Sequence, residues 1–223
     1  MKAILLNSMI ALFFLVGCSH AQPNKNADAK TLTDQAERKA REYNPGDNNR
    51  SEIYRSALNL LNQAIKKDPR YWPAYEEKIL YQTTLKQLDS AAVTAKQLVI
   101  LKPQDDFVFY HAGEALERVG DTTTAWDYYK KALVLNNNQL DTMKVTSEKF
   151  RLEKRNRAMI LRLLNQPEKA HDILQQLYDT EKDDRLKEFY RRDLELNRHD
   201  EIFGISFSSF IKKVDKGKEH KPN

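Results

Sequence analysis

The chain has 223 residues, of which 40% are hydrophobic and 31% are charged, and its formal net charge is +5. Its six glycines and seven prolines argue against a turn-rich all-β fold. A single cysteine excludes an intrachain disulfide and a cysteine-based zinc site. Acidic and basic residues are interspersed along most of the chain, so the net charge alone does not indicate nucleic-acid binding.

The N-terminus has the features of a secretory signal peptide. Met1 and Lys2 precede a mostly apolar run over residues 3–16. This run is shorter than the roughly 20 residues that a membrane-spanning helix needs. It ends in Leu15-Val16-Gly17-Cys18. This tetrapeptide resembles the lipobox of bacterial lipoproteins, and the only cysteine stands where that motif requires one. We therefore expect cleavage of residues 1–17 between Gly17 and Cys18.

The resemblance implies a covalent diacylglycerol on the thiol of Cys18 and a fatty acyl group on the new amino terminus. The resemblance also implies a destination: an Asp after the cysteine would favour the inner membrane, whereas Ser19 favours sorting to the outer membrane. No other cofactor is expected. Residues 19–30 contain no large apolar side chain, so residues 18–30 are predicted to be a lipidated N-terminus and flexible tether.

The mature chain contains an internal repeat. Pro69, Pro103 and Asn137 follow one another at an equal spacing of about 34 residues. Three further sets share this spacing: Ala57, Ala91 and Ala125; Ala64, Leu98 and Ala132; Tyr75 and Phe109. Agreement among several independent columns indicates a repeat architecture.

Each repeat predicts two helices. The clearest unit covers residues 106–139. Its first helix carries an apolar stripe at i, i+3, i+4 and i+7. The second helix is expected to begin after a cap at Asp121 and to end at Asn136, Asn137 and Asn138. The apolar positions of the two helices are Phe109, Ala112, Gly113, Leu116, Ala125, Tyr128, Tyr129, Ala132 and Leu135. In the first unit, the predicted helices cover residues 32–43 and 51–67.

These positions resemble the tetratricopeptide repeat (TPR) over roughly residues 32–180. The resemblance implies an all-α, right-handed superhelix of helix-turn-helix repeats, with about four helix pairs in residues 31–181. We expect capping helices in residues 182–216 and a disordered tail in residues 217–223. The TPR motif is specific for the fold and weak for function.

The fourth unit is displaced along the chain. In the fourth unit, the alanine that matches Ala125 is Ala170. The two are separated by one repeat plus about 11 residues, and 11 residues form close to three helical turns. An insertion of this length predicts one long helix, or two short helices in line, over residues 141–164. Pro167 suits the first turn of the next helix. Another helix is predicted over residues 184–198.

The last amphipathic segment covers residues 206–216. Its apolar residues Phe207, Phe210, Ile211 and Val214 follow i, i+3, i+4 and i+7. We expect this segment to cap the last helix pair. Insertion into the membrane interface and docking into the concave groove are the alternatives.

No catalytic or metal-binding constellation is apparent in the sequence. The five histidines lack the spacing of a metal site, and no phosphate-binding loop or nucleophile motif is present. We therefore expect a protein that is not an enzyme, with no metal, no small-molecule substrate and no catalytic residue.

The first helices of a solenoid line its concave face, where we expect a protein partner to bind. The repeat register predicts these groove residues: Glu76, Leu80, Thr83, Tyr110, His111, Glu114, Glu117, Arg118, Arg155, Met159 and Arg162. Tyr110 and Met159 favour a contact surface, since exposed aromatic and Met side chains are enriched at interfaces. Some TPR proteins bind a C-terminal carboxylate through basic and amide side chains in this groove. Here those positions are held by Tyr110, Glu114 and Glu76, so we do not expect carboxylate recognition of this kind.

A basic run lies within residues 149–157. It contains Lys149, Arg151, Lys154, Arg155 and Arg157, against the single acid Glu153. A solvated helix face is the expected interpretation. The alternative is a patch for acidic partners, anionic lipid headgroups or a glycan.

Together these features predict a non-enzymatic, membrane-anchored scaffold or assembly factor in the bacterial envelope, at the outer membrane and facing the periplasm. The alternatives are a pilotin-like factor for a secretin or pilus and an accessory subunit of an envelope hydrolase. Nucleic acid is disfavoured because the signal peptide directs the protein out of the cytoplasm.

Overall fold

The computed structural model describes residues 25–44 and 48–203. All regular elements of these two stretches are α-helices. They are α1 (Lys25–Arg41), α2 (Arg50–Lys67), α3 (Trp72–Thr84), α4 (Leu88–Leu101), α5 (Asp106–Glu117), α6 (Thr122–Leu140), α7 (Glu148–Leu163), α8 (Pro167–Thr180), α9 (Asp184–Glu195) and α10 (Arg198–Phe203). The predicted signal peptide, Cys18 and the amphipathic segment 206–216 lie outside the described residues.

The helices form successive pairs, as the repeat predicted. α1 packs on α2, α3 on α4, α5 on α6 and α7 on α8, and each pair packs on the next. Because each pair contacts mainly its neighbours, the chain is a helical solenoid. The expected all-α repeat fold is confirmed.

The third pair shows why the small residues recur. Ala125 and Ala132 of α6 are fully buried, and so is Tyr129. A Cβ atom placed on Gly113 of α5 would lie 2.3 Å from Cε1 of Tyr129. Glycine at this position therefore lets the Tyr129 ring lie directly against the α5 backbone. The predicted Asp121 cap is also present, since the Thr124 amide donates to its carboxylate.

The predicted tether is wrong for its last six residues. Helix α1 begins at Lys25, whereas the sequence predicted a first helix that starts only at residue 32 and ends at residue 43. Ala29 and Thr33 are buried on the face that packs against α2. The prediction failed because it required large apolar side chains, whereas small side chains suffice where two helices approach closely.

The prediction of one long helix, or two short helices in line, over residues 141–164 is wrong for its first seven residues. α6 continues through the three asparagines to Leu140, and residues 141–147 then form turns. α7 starts after Ser147, whose hydroxyl accepts a hydrogen bond from the Phe150 amide. Asn136 does not end α6, because its fully buried amide donates to carboxylates on α5 and α7.

The helix predicted over residues 184–198 forms as α9 but ends three residues earlier than expected. α9 ends at Glu195, and a reciprocal cap starts α10: the Asn197 amide donates to the Asp200 carboxylate, and the Asp200 amide donates to the side-chain oxygen of Asn197. Within residues 25–44 and 48–203, no helix combines the length and the apolar character needed to cross a membrane.

Candidate protein-binding groove

A groove runs between α3 and α5, the first helices of two neighbouring pairs. Its apolar lining comes from both helices and from one residue of α4: Ile79, Leu80, Leu98, Phe107, Val108 and Ala115. Its polar lining consists of Glu76, Thr83, His111, Glu114 and Arg118. This combination of an apolar floor and a few convergent polar groups suits the side chains of a protein ligand.

One polar unit of the groove is the pair formed by His111 and Glu114. His111 Nδ1 lies 2.7 Å from the Glu114 carboxylate, and Glu114 is 4% exposed. The His111 ring also makes edge contacts with Phe107 and Tyr110. Its Nε2 atom is buried and has no hydrogen-bond partner within the described part of the chain. These contacts fix the ring at the groove wall.

At the N-terminal end of the groove, Glu76 belongs to a charged cluster with Lys102 and Asp105. Lys102 pairs with Asp105 at 2.6 Å and with Glu76 at 3.6 Å. Its ammonium also lies 3.8 Å from the ring centroid of Trp72. Lys102 is therefore held mainly by Asp105 and Trp72, and its ion pair with Glu76 is the longer of its two.

Six of the eleven predicted groove residues meet here: Glu76, Leu80, Thr83, His111, Glu114 and Arg118. Sequence reasoning missed Ile79 and Phe107, although both neighbour predicted residues on the same helices. Tyr110 was expected to be an exposed contact residue, but it is only 8% exposed. That expectation is wrong because the ring packs into the hydrophobic core with Phe109 and Ala112.

Glu117 has a structural role in this arrangement. Its carboxylate accepts from the Tyr129 hydroxyl at 2.9 Å and from the Arg198 guanidinium at 2.5 Å. Burial raises the pKa of Tyr129 well above its ordinary value, and the nearby carboxylates of Glu114 and Glu117 act in the same direction. Glu117 therefore joins α5 to α6 and α10 rather than facing a partner.

The three predicted residues of α7 do not line the groove. The Arg155 guanidinium makes two hydrogen bonds to the Asp193 carboxylate, and the two side chains are 4% and 3% exposed. Arg162 donates to the main-chain oxygen of Asp193, and Met159 is 4% exposed. The expectation that Met159 would be exposed is wrong, because this part of α7 lies in the core and under α9.

The basic run is only partly a solvated face. Arg155 is buried against Asp193, and Arg151 lies 3.7 Å from the carboxylate of Glu181. The ammonium of Lys154 donates to the side chain of Gln176. At least these three cations are engaged by α9, α8 and the segment between those two helices.

A buried polar cluster joins α5, α6 and α7. The Asn136 side-chain amide donates to Asp106 at 2.9 Å and to Glu153 at 3.1 Å. Burial raises the pKa of the Glu153 carboxyl, and the negative charge of Asp106 adds to that effect. The cluster fixes the junction after the irregular segment 141–147.

Helix α10 closes against the ends of α5 and α7. Arg118 Nε donates to the main-chain oxygen of Ile202, and Arg198 Nε donates to that of Leu163. Ile202 is 1% exposed in the central hydrophobic core. The last described residues of the chain therefore lie beside Arg118, at the end of the groove formed by the C-terminal ends of α3 and α5.

Within the described ranges, no three His, Cys, Asp or Glu side chains come together in a way that could hold a metal ion.

No family model and no curated protein matches this sequence. Among solved structures, the TPR-like repeats of a kinesin light chain-like protein from Podosopora anserina align with a TM-score of 0.55 and 12% identity. The alignment covers 90% of this chain and 100% of that chain. A single-substitution variant of the same protein gives a TM-score of 0.56 over 89% of this chain and 100% of that chain. At this identity the similarity shows the fold, so the architecture of this chain is that of TPR-like helical repeats.

Proposed function

We propose that this protein is a lipid-anchored scaffold of the bacterial envelope that binds another protein in the groove between α3 and α5. The observation that carries the proposal is the groove itself, in which six residues selected by the repeat register converge around an apolar floor. The binding energy would come mainly from burying partner side chains on that floor, with the polar lining setting orientation. The scaffold would be non-enzymatic and need no cofactor beyond the covalent lipid.

The test of partner binding is site-specific photo-crosslinking in intact cells. A photoreactive amino acid at Thr83 lines the groove, and the matched control position is Ile100 of α4, which is 77% exposed. We expect one defined envelope protein to be crosslinked from Thr83 and not from Ile100. Identical products from both positions, or none from Thr83, would contradict groove binding. The identity of the product also separates a general scaffold from a pilotin-like factor or a hydrolase subunit.

The anchor is tested separately at Cys18, the only cysteine of the chain. Cys18→Ala removes the thiol that the lipobox would lipidate, so incorporation of labelled fatty acid should cease and signal-peptide processing should slow. The Cys18→Ala protein should also leave the outer-membrane fraction. Equal labelling of Cys18→Ala and wild type would contradict the lipid anchor and leave the groove proposal standing.

A further inference from the structure

The groove offers an apolar surface directly beside the point where the described chain ends. The main-chain oxygen of Ile202 accepts a hydrogen bond from Arg118 Nε. Arg118 and Thr83 line the groove at the C-terminal ends of α5 and α3. Only residues 204 and 205 separate α10 from the amphipathic segment 206–216. An extended chain covers about 3.3–3.6 Å per residue, so the segment starts within reach of the groove.

We propose that residues 206–216 bind in the α3–α5 groove of the same chain and compete there with the protein partner. This inference rests on the proposed partner site, whose regulation it describes. It differs from the capping position expected from the sequence, because α10 folds back onto α5 and α7 and so brings the chain to the groove rather than to the end of the solenoid.

Length and apolar content agree with this occupant. Eleven residues in a helix span about 16 Å at 1.5 Å per residue, and α5, one wall of the groove, has 12 residues. Phe207, Phe210, Ile211 and Val214 would form one apolar stripe in such a helix. A helix this short is marginal by itself in water, whereas the apolar floor of the groove would stabilise it by burying the stripe.

Charge complementarity fixes the direction of binding. The segment enters at the Arg118 end. Its three lysines, Lys212, Lys213 and Lys216, all lie in its second half and outnumber the one acid there, Asp215. That half would reach the opposite end of the groove, where Glu76 lies on the N-terminal half of α3. A lysine there would meet the carboxylate of Glu76, which lies 3.6 Å from the ammonium of Lys102.

Attachment to the same chain makes the segment an effective competitor. A short connection within one chain gives an effective concentration in the millimolar range. A ligand that binds the same groove therefore has its apparent affinity reduced by the fraction of molecules in which the groove is open. Release of the segment, by a stronger partner or by another binding site for the segment, would expose the groove.

The direct test is disulfide trapping in the full-length protein. Ile79→Cys on the groove wall is combined with Phe210→Cys, and the matched control combines Val93→Cys with Phe210→Cys. Val93 is 59% exposed on α4 and does not line the groove. After mild oxidation and digestion, mass spectrometry should find the 79–210 disulfide within one chain, at least tenfold more abundant than the 93–210 disulfide. Equal yields, or no 79–210 disulfide, would overturn the proposal.

A second variant tests the competition. Phe207→Ser/Phe210→Ser/Ile211→Ser removes three of the four apolar residues of the stripe without changing the described residues. A labelled peptide of residues 205–217 should bind this variant about tenfold more tightly than it binds wild type. The melting temperature of the variant should also fall, because docking of the segment stabilises only the folded chain. Equal peptide affinities would overturn the proposal. A lowered melting temperature without a 79–210 disulfide would favour capping instead, and wild-type binding to anionic vesicles that the variant lacks would favour the membrane.

Photo-crosslinking from Thr83 separates this inference from the proposed function. If the 79–210 disulfide forms but no partner is crosslinked in either wild type or the triple-serine variant, self-docking stands and the partner proposal fails. If the partner is crosslinked equally in both proteins and the disulfide is absent, the partner proposal stands and self-docking fails.

Discussion

At the scale of single residues, the close packing of α5 on Tyr129 of α6 depends on Gly113. We expect Gly113→Ala to destabilise the protein by about 1–3 kcal/mol, as overpacked cores usually are. The new Cβ would lie 2.3 Å from Cε1 of Tyr129, whose ring is fully buried and cannot move aside. This cost exceeds the gain of about 0.5–1 kcal/mol that alanine normally brings to a helix. Urea denaturation measures the difference.

The control is the double variant Gly113→Ala/Tyr129→Leu, in which the clashing ring is absent. Its loss of stability should be smaller than the sum of the two single losses, because the two changes act on one contact. Additive losses would mean that Gly113 is not limited by Tyr129.

Glu153 makes stability depend on pH. Its raised pKa, caused first by burial and then by Asp106, means that the folded state binds the proton more tightly than the unfolded state does. The free energy of unfolding therefore falls as the pH rises from the unfolded-state pKa of about 4.3 through the folded-state value. Glu153→Gln cannot ionise and retains an acceptor for the amide of Asn136. We expect this variant to be more stable than wild type near pH 7, with an advantage that shrinks toward pH 4.

Urea denaturation across this pH range measures the effect. Glu148→Gln, an exposed substitution in the same helix, controls for loss of one negative charge. Parallel pH profiles for Glu153→Gln and wild type would show that the buried cluster does not bind the extra proton.

At the scale of helices, the buried pair of Arg155 and Asp193 fixes α9 on α7. Asp193→Ala should cost about 3–5 kcal/mol, because it leaves a guanidinium buried without its carboxylate. The matched control is Glu188→Ala in the same helix, which removes an exposed ion pair with Arg191 and should change stability little. Thermal unfolding compares the two variants, and equal effects would mean that α9 is not anchored through Arg155.

Features that repeat along the chain could be predicted from the sequence, whereas features that depend on contacts between distant helices could not. The register of α5 and α6 was predictable because alanines and aromatics recur at the repeat spacing. The same register selected all five polar residues that line the groove. The break at residues 141–147 was not predictable, because Asn136 stays helical only through its contacts with Asp106 and Glu153 on other helices. Arg155 was misplaced for the same reason: its burial depends on Asp193, which lies on another helix far along the chain.

At the scale of the whole molecule, the hydrophobic interior is divided along the solenoid. Within the described residues, one cluster joins α1, α2 and α3, a central cluster extends from α3 to α7 and includes Ile202, and a third joins α7 and α8. Neighbouring clusters touch through shared residues such as Ile65 and Leu133. Stability should therefore be the sum of local terms and couplings between neighbours rather than the property of a single core.

This division predicts local effects for a cavity in an end cluster. Leu61 of α2 is fully buried in the first cluster, and Leu61→Ala should cost about 2–5 kcal/mol through lost burial and the cavity left behind. We expect hydrogen exchange to accelerate in α1, α2 and α3 while the amides of α7 and α8 keep their wild-type rates. Leu174→Ala, at a fully buried position of the third cluster, should give the reverse pattern. If either variant instead accelerates exchange uniformly from α1 to α8, the couplings between clusters exceed the local terms and the described chain unfolds as one cooperative unit.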